Sequence, residues 1–264
     1  MKVFWRLFTE LSSRKLISKL AGSLAKSSFS KRWIPSFVKA YNIRVEEAEK
    51  PLDEYESLNE FFTRRLKPGM RNIDPDESTL ISPVDALIVG LGTVEEGQII
   101  NVKGQDYSVD ELLNGSPRAV NYKNGCYIVL YLSPSDYHRI HAPVSGTIVE
   151  KEHIPGRVYP VNDFGMRNLR KVLSRNERLI TYIQHECGET ALVKVGAMNV
   201  SAIRYVEPLP ETPEKGQEIA YFEFGSTVVL LMEKGTFQFH DHIHAAMKVR
   251  MGDPLGRLHE KTAK

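Results

Sequence analysis

The stretch YFEFGSTVVLL, Tyr221 to Leu231, reads as a β-run broken at its centre. Aromatic and β-branched residues fill it, as they fill a strand buried on both faces. Gly225 and Ser226 interrupt it, and a glycine inside a strand marks a bulge or a close approach of backbone. Two readings stand. The pair is a bulge, or the Gly225–Ser226 bond is itself the object of chemistry. The stretch alone does not choose.

Runs of the same texture recur from about residue 78: LISPVDALIVGLGTV, GQIINVKG, CYIVLYL, APVSGTIVEKEHI, RLITYIQHE, ETALVKVGAMNVSAI and MKVRMG. Turn residues separate most of them, which predicts a sandwich or barrel-like β domain. SVDELLNG (Ser108–Gly115) reads as a short capped helix between two strands. The chain of 264 residues is long enough for a substantial core, and 42% hydrophobic with 26% charged residues is ordinary for a soluble globular protein. CYIVLYL (Cys126–Leu132) is far too short to cross a bilayer. No signal-peptide layout is visible. Cys126 and Cys187 lack metal-like spacing and suggest no disulfide framework, so a reducing, cytoplasmic setting is expected.

The N-terminal segment differs. Residues 1–40 hold nine Lys or Arg and one acid, Glu10. With +2 for the whole chain, residues 41–264 carry a net −6. Phe4, Leu7, Phe8 and Leu11 follow helical spacing, and Leu16, Ile17, Leu20, Ala21 and Leu24 resume it. A basic amphipathic helix with Trp and Phe fits a membrane interface; an ordinary helix packed on the body with a solvated basic face fits as well. No basic stripe interleaved with aromatics appears elsewhere, so nucleic acid is not expected as a partner. Further on, SLNEFFTRRLKPG carries the Ser57/Glu60 capping pattern, with Leu58, Phe61, Phe62 and Leu66 on one face and Pro68-Gly69 as the stop. The expectation is α+β: a helical N-terminal region over residues 1–70 and a β-rich catalytic domain over 71–264.

Three places look over-specified for a scaffold. Asp85 interrupts the apolar run ISPVDALIVG; a buried carboxylate needs a partner, though a turn aspartate bonding backbone N–H groups would serve equally. LSPSDYHRIHAPVSG packs Asp136, His138 and His141 just after an apolar strand, and histidine is the side chain most easily set to move protons near neutral pH. Ser226 is a nucleophile if a base is near. Asp85, His141 and Ser226 would make an Asp-His-Ser set, which occurs in any chain order. HDHIH places His240, His242 and His244 at alternate positions. On a strand they would share a face and suit zinc, but no fourth ligand is evident, and a solvated loop or edge is the better reading.

NEFFTRRLKPGMRNID, SPVDA, VKGQDYSVDELL, YLSPSDYHRIHAPVSGTI, PGRVYPVN, RNERLI, VGAMNVSAI and KGQEIAYFEFGSTVVLL together resemble the successive blocks of prokaryotic phosphatidylserine decarboxylases. The match runs in order from about Asn59 to Met232 and is weak over 1–56 and 236–247. The family's cleavage motif is most often Leu-Gly-Ser-Thr; here it reads Phe224-Gly225-Ser226-Thr227, which keeps an apolar residue before the glycine.

The resemblance implies that the chain makes its own cofactor, a covalent pyruvoyl group derived from Ser226, and needs no metal. His141, oriented by Asp85, takes the Ser226 proton; the oxygen attacks the Gly225 carbonyl; the chain is cut between 225 and 226 into a large chain, 1–225, and a small chain, 226–264. Gly225 has no Cβ, so the hydroxyl can approach closely. The ketone then forms a Schiff base with phosphatidylserine, and phosphatidylethanolamine is released. His138 is the candidate for proton donation in decarboxylation or for substrate binding. The implied partners are phosphatidylserine, an anionic membrane surface and the two chains as a heterodimer, open to further dimerisation. The implied place is the cytoplasmic side of the cell membrane, held peripherally. An ordinary serine hydrolase, a non-enzymatic membrane-binding β domain and a pyruvoyl enzyme for another amino acid remain as rivals, although no G-x-S-x-G elbow is present.

Overall fold

Tyr221–Leu231 is two strands in two different sheets. The computed structural model describes residues 22–95, 98–102, 104–161, 169–197, 203–223 and 226–260. Its strands are β1 (Thr79–Ile81), β2 (Ala86–Thr93), β3 (Gln98–Val102), β4 (Gln105–Ser108), β5 (Cys126–Leu132), β6 (Arg139–His141), β7 (Thr147–Ile154), β8 (Arg178–His185), β9 (Gly188–Gly196), β10 (Ile203–Tyr205), β11 (Glu218–Phe222), β12 (Ser226–Met232), β13 (Phe237–Phe239), β14 (Lys248–Val249) and β15 (Pro254–Leu258). A seven-stranded sheet runs β14-β2-β5-β12-β9-β8-β7, and three-stranded sheets run β10-β11-β6 and β1-β15-β13. β11 lies in one of the small sheets, and β12 lies in the large one between β5 and β9.

Period-two alternation explains why β12 is apolar throughout. Val229 and Leu231 pack into one core with Val129, Val193 and Val195. Val228, Leu230 and Met232 pack into a second, with Ile128, Leu130, Leu192 and Phe222. The large sheet thus has a core on each face, and the β11 residues Ile219, Ala220 and Phe222 belong to the second. The architecture is the expected α+β one, with packed sheets and a short helical N-terminal part.

Helical segments precede the strands: 22–26, a 3-10 turn at Ser28–Trp33, α1 (Ile34–Tyr41) and α2 (Leu58–Phe62). Ile34, Ile43, Ala48, Tyr55 and Phe61 form a small core of their own. The Ser57 side chain caps α2 by accepting from Glu60 N at 3.1 Å, as the capping pattern predicts. The helix is shorter than Pro68-Gly69 would allow. Thr63 Oγ1 bonds back to Asn59 O at 3.0 Å, Arg64 N turns to Phe61 O, and Leu66 forms a bridge with Ala48. A later short helix, α3 (Val109–Leu112), falls where SVDELLNG places it, without a side-chain cap from Ser108. HDHIH lies in a turn: Ile243 N bonds His240 O at 3.0 Å, and the His240 and His242 rings stack at 5.7 Å. Most of the expected amphipathic N-terminal helix, residues 1–21, lies outside the described residues, as do Phe224 and Gly225.

Candidate active site

One end of the large sheet gathers the sequence candidates. Ser226 opens β12, where its backbone pairs with Leu132 on one side and Gly196 on the other. Asp85 immediately precedes β2, whose Leu87 pairs with Tyr131 of β5. The β5 chain continues past Leu132 through a turn at 133–138 into β6, which ends at His141. β6 returns beside the Asp85 loop, with His141 N donating to Pro83 O at 2.9 Å. The Asp85 and Ser226 backbones are therefore two strands apart, about 10 Å at the usual strand spacing.

His141 is 7% exposed. Its Nδ1 lies 2.7 Å from Gly216 O, and a carbonyl can only accept, so Nδ1 carries the hydrogen. In the neutral ring Nε2 then holds the lone pair and accepts from the Tyr137 hydroxyl at 3.0 Å. Burial pushes the His141 pKa down, while the Gly216 carbonyl and the charges of Glu218 and Asp85 push back.

Asp85 is 6% exposed and makes no hydrogen bond to His141. Arg71 grips both of its oxygens, Nε donating to Oδ1 at 2.8 Å and Nη2 donating to Oδ2. Met251 N also donates to Oδ1, at 2.9 Å. Arg71 reaches Glu47 as well, through Nη1 at 2.9 Å. The link from Asp85 to His141 is thus electrostatic across space.

His138 is fully buried, with its ring stacked on Phe62 at 4.0 Å. Nε2 faces Ser133 O at 3.0 Å and so carries the hydrogen. Burial, then the nearby positive charge of Arg64, pushes its pKa down to about 3, so the ring is neutral. Its Nδ1 is a bare acceptor with no partner among the described residues. Asp136 is part of the turn: it accepts from Ser133 N and Oγ, each at 2.7 Å. Phe222 N donates to His138 O at 3.0 Å, which ties β11 to this turn just ahead of Ser226.

A cavity of about 630 Å³ opens alongside, lined by Lys26, Thr63, Arg139, Arg204, Tyr221 and Glu223 among others. Lys26 pairs with Glu223 at 2.8 Å, which joins the N-terminal segment to the residue three places before Ser226. The sequence reading missed three members of the site: Arg71, Tyr137 and the Gly216 carbonyl. All three lie inside quoted blocks, Arg71 in NEFFTRRLKPGMRNID, Tyr137 in YLSPSDYHRIHAPVSGTI and Gly216 in KGQEIAYFEFGSTVVLL, but nothing in residue order says which side chain each one meets. Among the described residues no group of three or more His, Cys, Asp or Glu, those of HDHIH included, could hold a metal ion.

The family model described as phosphatidylserine decarboxylase matches residues 58–257. A phosphatidylserine decarboxylase proenzyme of Geobacillus sp. is 44% identical over 258 residues, covering 98% of this chain and 99% of its own. One of Geobacillus kaustophilus is 46% identical over 256 residues, covering 97% and 96%. One of Halalkalibacterium halodurans is 44% identical, covering 97% and 98%. Likeness of this extent, over nearly the whole chain, places the protein in the phosphatidylserine decarboxylase family.

Proposed function

We propose that the chain is a self-processing, pyruvoyl-dependent phosphatidylserine decarboxylase that forms phosphatidylethanolamine at a membrane surface. The observation that carries this reading is the position of Ser226, first in a central strand, at the sheet end where Asp85, His138 and His141 gather.

In self-cleavage His141 is the base and Nε2 the basic atom. The Tyr137 hydroxyl yields its place there, and Nε2 takes the Ser226 hydroxyl proton. The Ser226 oxygen bonds to the Gly225 carbonyl carbon, the amide C–N bond breaks, and His141 returns the proton to the freed nitrogen. Elimination releases the Gly225 carboxylate; one water enters and ammonia leaves, and residue 226 becomes the ketone. Asp85, held by Arg71, supplies negative charge that favours the imidazolium form of His141.

The pyruvoyl group supplies a carbonyl that holds the substrate amine and takes up the electron pair released with carbon dioxide. His138 moves the proton. The substrate arrives as an ammonium ion, and the Nδ1 lone pair of the neutral ring, without a partner among the described residues, can accept a hydrogen bond from its N–H. Burial and Arg64 disfavour the imidazolium, so a proton that reaches this nitrogen is readily given up to the carbon that lost the carboxylate.

Residues 1–70 act as the membrane-associating region and 71–264 as the catalytic domain, on the cytoplasmic side of the cell membrane. Leu24, Phe29 and Trp33 are exposed beside Lys31 and Arg32, and the Arg32 guanidinium sits 3.8 Å over the Phe29 ring. Such a surface suits an anionic lipid interface. No helix among the described residues is long and apolar enough to cross a membrane. Chains 1–225 and 226–264 stay together as a heterodimer.

Intact mass spectrometry tests the core of this reading. Wild type should give two chains split at 225/226, the small one with a ketone in place of its amine, and Ser226→Ala should stay whole. A folded wild type that remains uncut would end the proposal. For the membrane part, deletion of residues 2–25 should weaken liposome binding and lipid turnover together.

A further inference from the structure

A buried charge is costly unless an opposite charge or a full set of hydrogen bonds meets it. Arg64 is 5% exposed, and among the described residues it forms no ion pair. Its hydrogen bonds are long ones, Nη1 to Phe61 O at 3.4 Å and Nη2 to Ser135 O at 3.3 Å, the Phe61 ring lies 5.0 Å from Cζ, and among the described residues Nε has no acceptor. Asp85 and Glu47 act on it only through space and are themselves taken by Arg71.

Among the described residues, the buried side-chain polar atoms without a partner are Arg64 Nε, Asn59 Oδ1 and His138 Nδ1. They fall in one neighbourhood. Asn59 lies on α2 and Arg64 in the turn that ends it, while Phe62 between them stacks on the His138 ring. Ser133 O fixes His138, and Ser135 O takes Arg64. That turn begins directly after Leu132, the register partner of Ser226. Asn59 and Thr63 also line the cavity beside Glu223.

The unmet atoms are one cationic donor and two neutral acceptors. Their complement is a carboxylate next to a nitrogen that carries hydrogens, which is the polar end of an α-amino acid. A serine headgroup has both groups on one carbon; an ethanolamine headgroup has lost the carboxylate. We propose that Arg64 is the anchor for the substrate carboxylate and that, with Asn59, it makes the site prefer the serine-headed lipid over the ethanolamine-headed product. This rests on the decarboxylase reading above. It also explains release: once carbon dioxide has left, Arg64 is again buried without a counter-ion, and the product is held less well.

The test uses processed enzyme whose ketone has been reduced with borohydride, so that headgroups bind without turnover. Calorimetry compares glycerophosphoserine with glycerophosphoethanolamine, which share the phosphate and the amine. Wild type should bind the serine form about 10- to 100-fold more tightly, the worth of a charge-assisted pair. Arg64→Gln should lose that preference and keep its affinity for the ethanolamine form, and Arg64→Lys should keep part of it. Should Arg64→Gln not fold, wild type suffices: the methyl ester of the serine carboxylate should bind no better than the ethanolamine form. A wild type that binds acid and ester alike, that fails to bind glycerophosphoserine, or an Arg64→Gln with the full preference overturns the proposal. Failure of the decarboxylase reading shows earlier and differently, as a chain that is never cut and has no ketone to reduce.

Discussion

Replacing Arg71 by Met should damage folding and the cut together, through Asp85. The guanidinium and the carboxylate are 5% and 8% exposed and share two hydrogen bonds, and Glu47 takes a third from the same guanidinium. Removing one member of a buried pair leaves an uncompensated charge, at about 3–5 kcal/mol. In a chain of this size each kcal/mol is about 2–4 °C of melting temperature, so Arg71→Met should melt roughly 10 °C lower. Asp85→Asn alone should also destabilise, since it leaves Arg71 buried against a neutral amide. The double variant removes both charges, and its loss should fall short of the sum by about 2–3 kcal/mol. Processing tests the second role proposed for Asp85. The double variant should regain stability yet stay uncut, because the negative charge that supports the His141 imidazolium is gone. Scanning calorimetry on the four proteins gives the cycle, and the ratio of chains 1–225 and 226–264 to full-length protein gives the cut. Additive losses, or a double variant cut like wild type, would refute the reasoning.

Lys194 is fully buried, with Thr181 Oγ1 at 2.5 Å and, among the described residues, no carboxylate on it, and burial pushes its pKa well below 10.5. The unfolded lysine keeps its proton up to about pH 10.5 while the buried one does not, so Lys194→Met should melt higher at pH 7, with the gain shrinking toward that pH in a melting series. Burial holds His138 at about 3 and His185 at about 4, both below the unfolded 6.5. The unfolded chain therefore binds more protons, and stability should fall as pH drops from 6.5 toward 4; His185→Gln should flatten that slope in acid melts. Leu230→Ala, in the core beneath β12, should cost about 2–5 kcal/mol. The protein should still be cut, but the small chain should separate at lower urea, read by size exclusion.

What could be read in the sequence was local, or covered by block resemblance. The Ser57 cap was legible because donor and acceptor are three residues apart. The end of α2 was not, since Leu66 leaves the helix to pair with Ala48, and spacing carries no signal for that bridge. Alternating histidines in HDHIH mimic a strand face, but a reverse turn between His240 and Ile243 takes the backbone instead. Both readings of Asp85 hold at once, as it is bonded by a backbone N–H and paired with a cation. Arg71 and Gly216 lie 14 and 75 residues from the side chains they fix, and only the folded chain brings them there. The orphaned Nδ1 of His138 depends on the tautomer that Ser133 O imposes, a fact of contact with no trace in residue order.

The Gly-Ser pair that interrupts Tyr221–Leu231 marks a crossing between sheets. β11 ends at Phe222 in a three-stranded sheet and β12 begins at Ser226 in the seven-stranded one. A break between 225 and 226 falls between two ladders that are each complete, so it costs neither sheet its pairing. β12 stays bonded to β5 and β9 along its whole length, and Val228 through Met232 are fully buried. At about 1.5–3 kcal/mol for each buried aliphatic side chain, those five would hold the small chain of the proposed cut with roughly 10 kcal/mol before any hydrogen bond is counted. That anchorage serves chemistry as well as cohesion. A reactive group on a loop end would sample many positions, whereas one at the head of a strand flanked on both edges is fixed relative to residue 132. Through the 133–138 turn it is fixed relative to His138 and Arg64 as well. On the proposed mechanism the sheet would do for a chain terminus what a binding pocket does for a diffusible cofactor: it would hold residue 226 in place against the groups proposed to bind the substrate and move its proton.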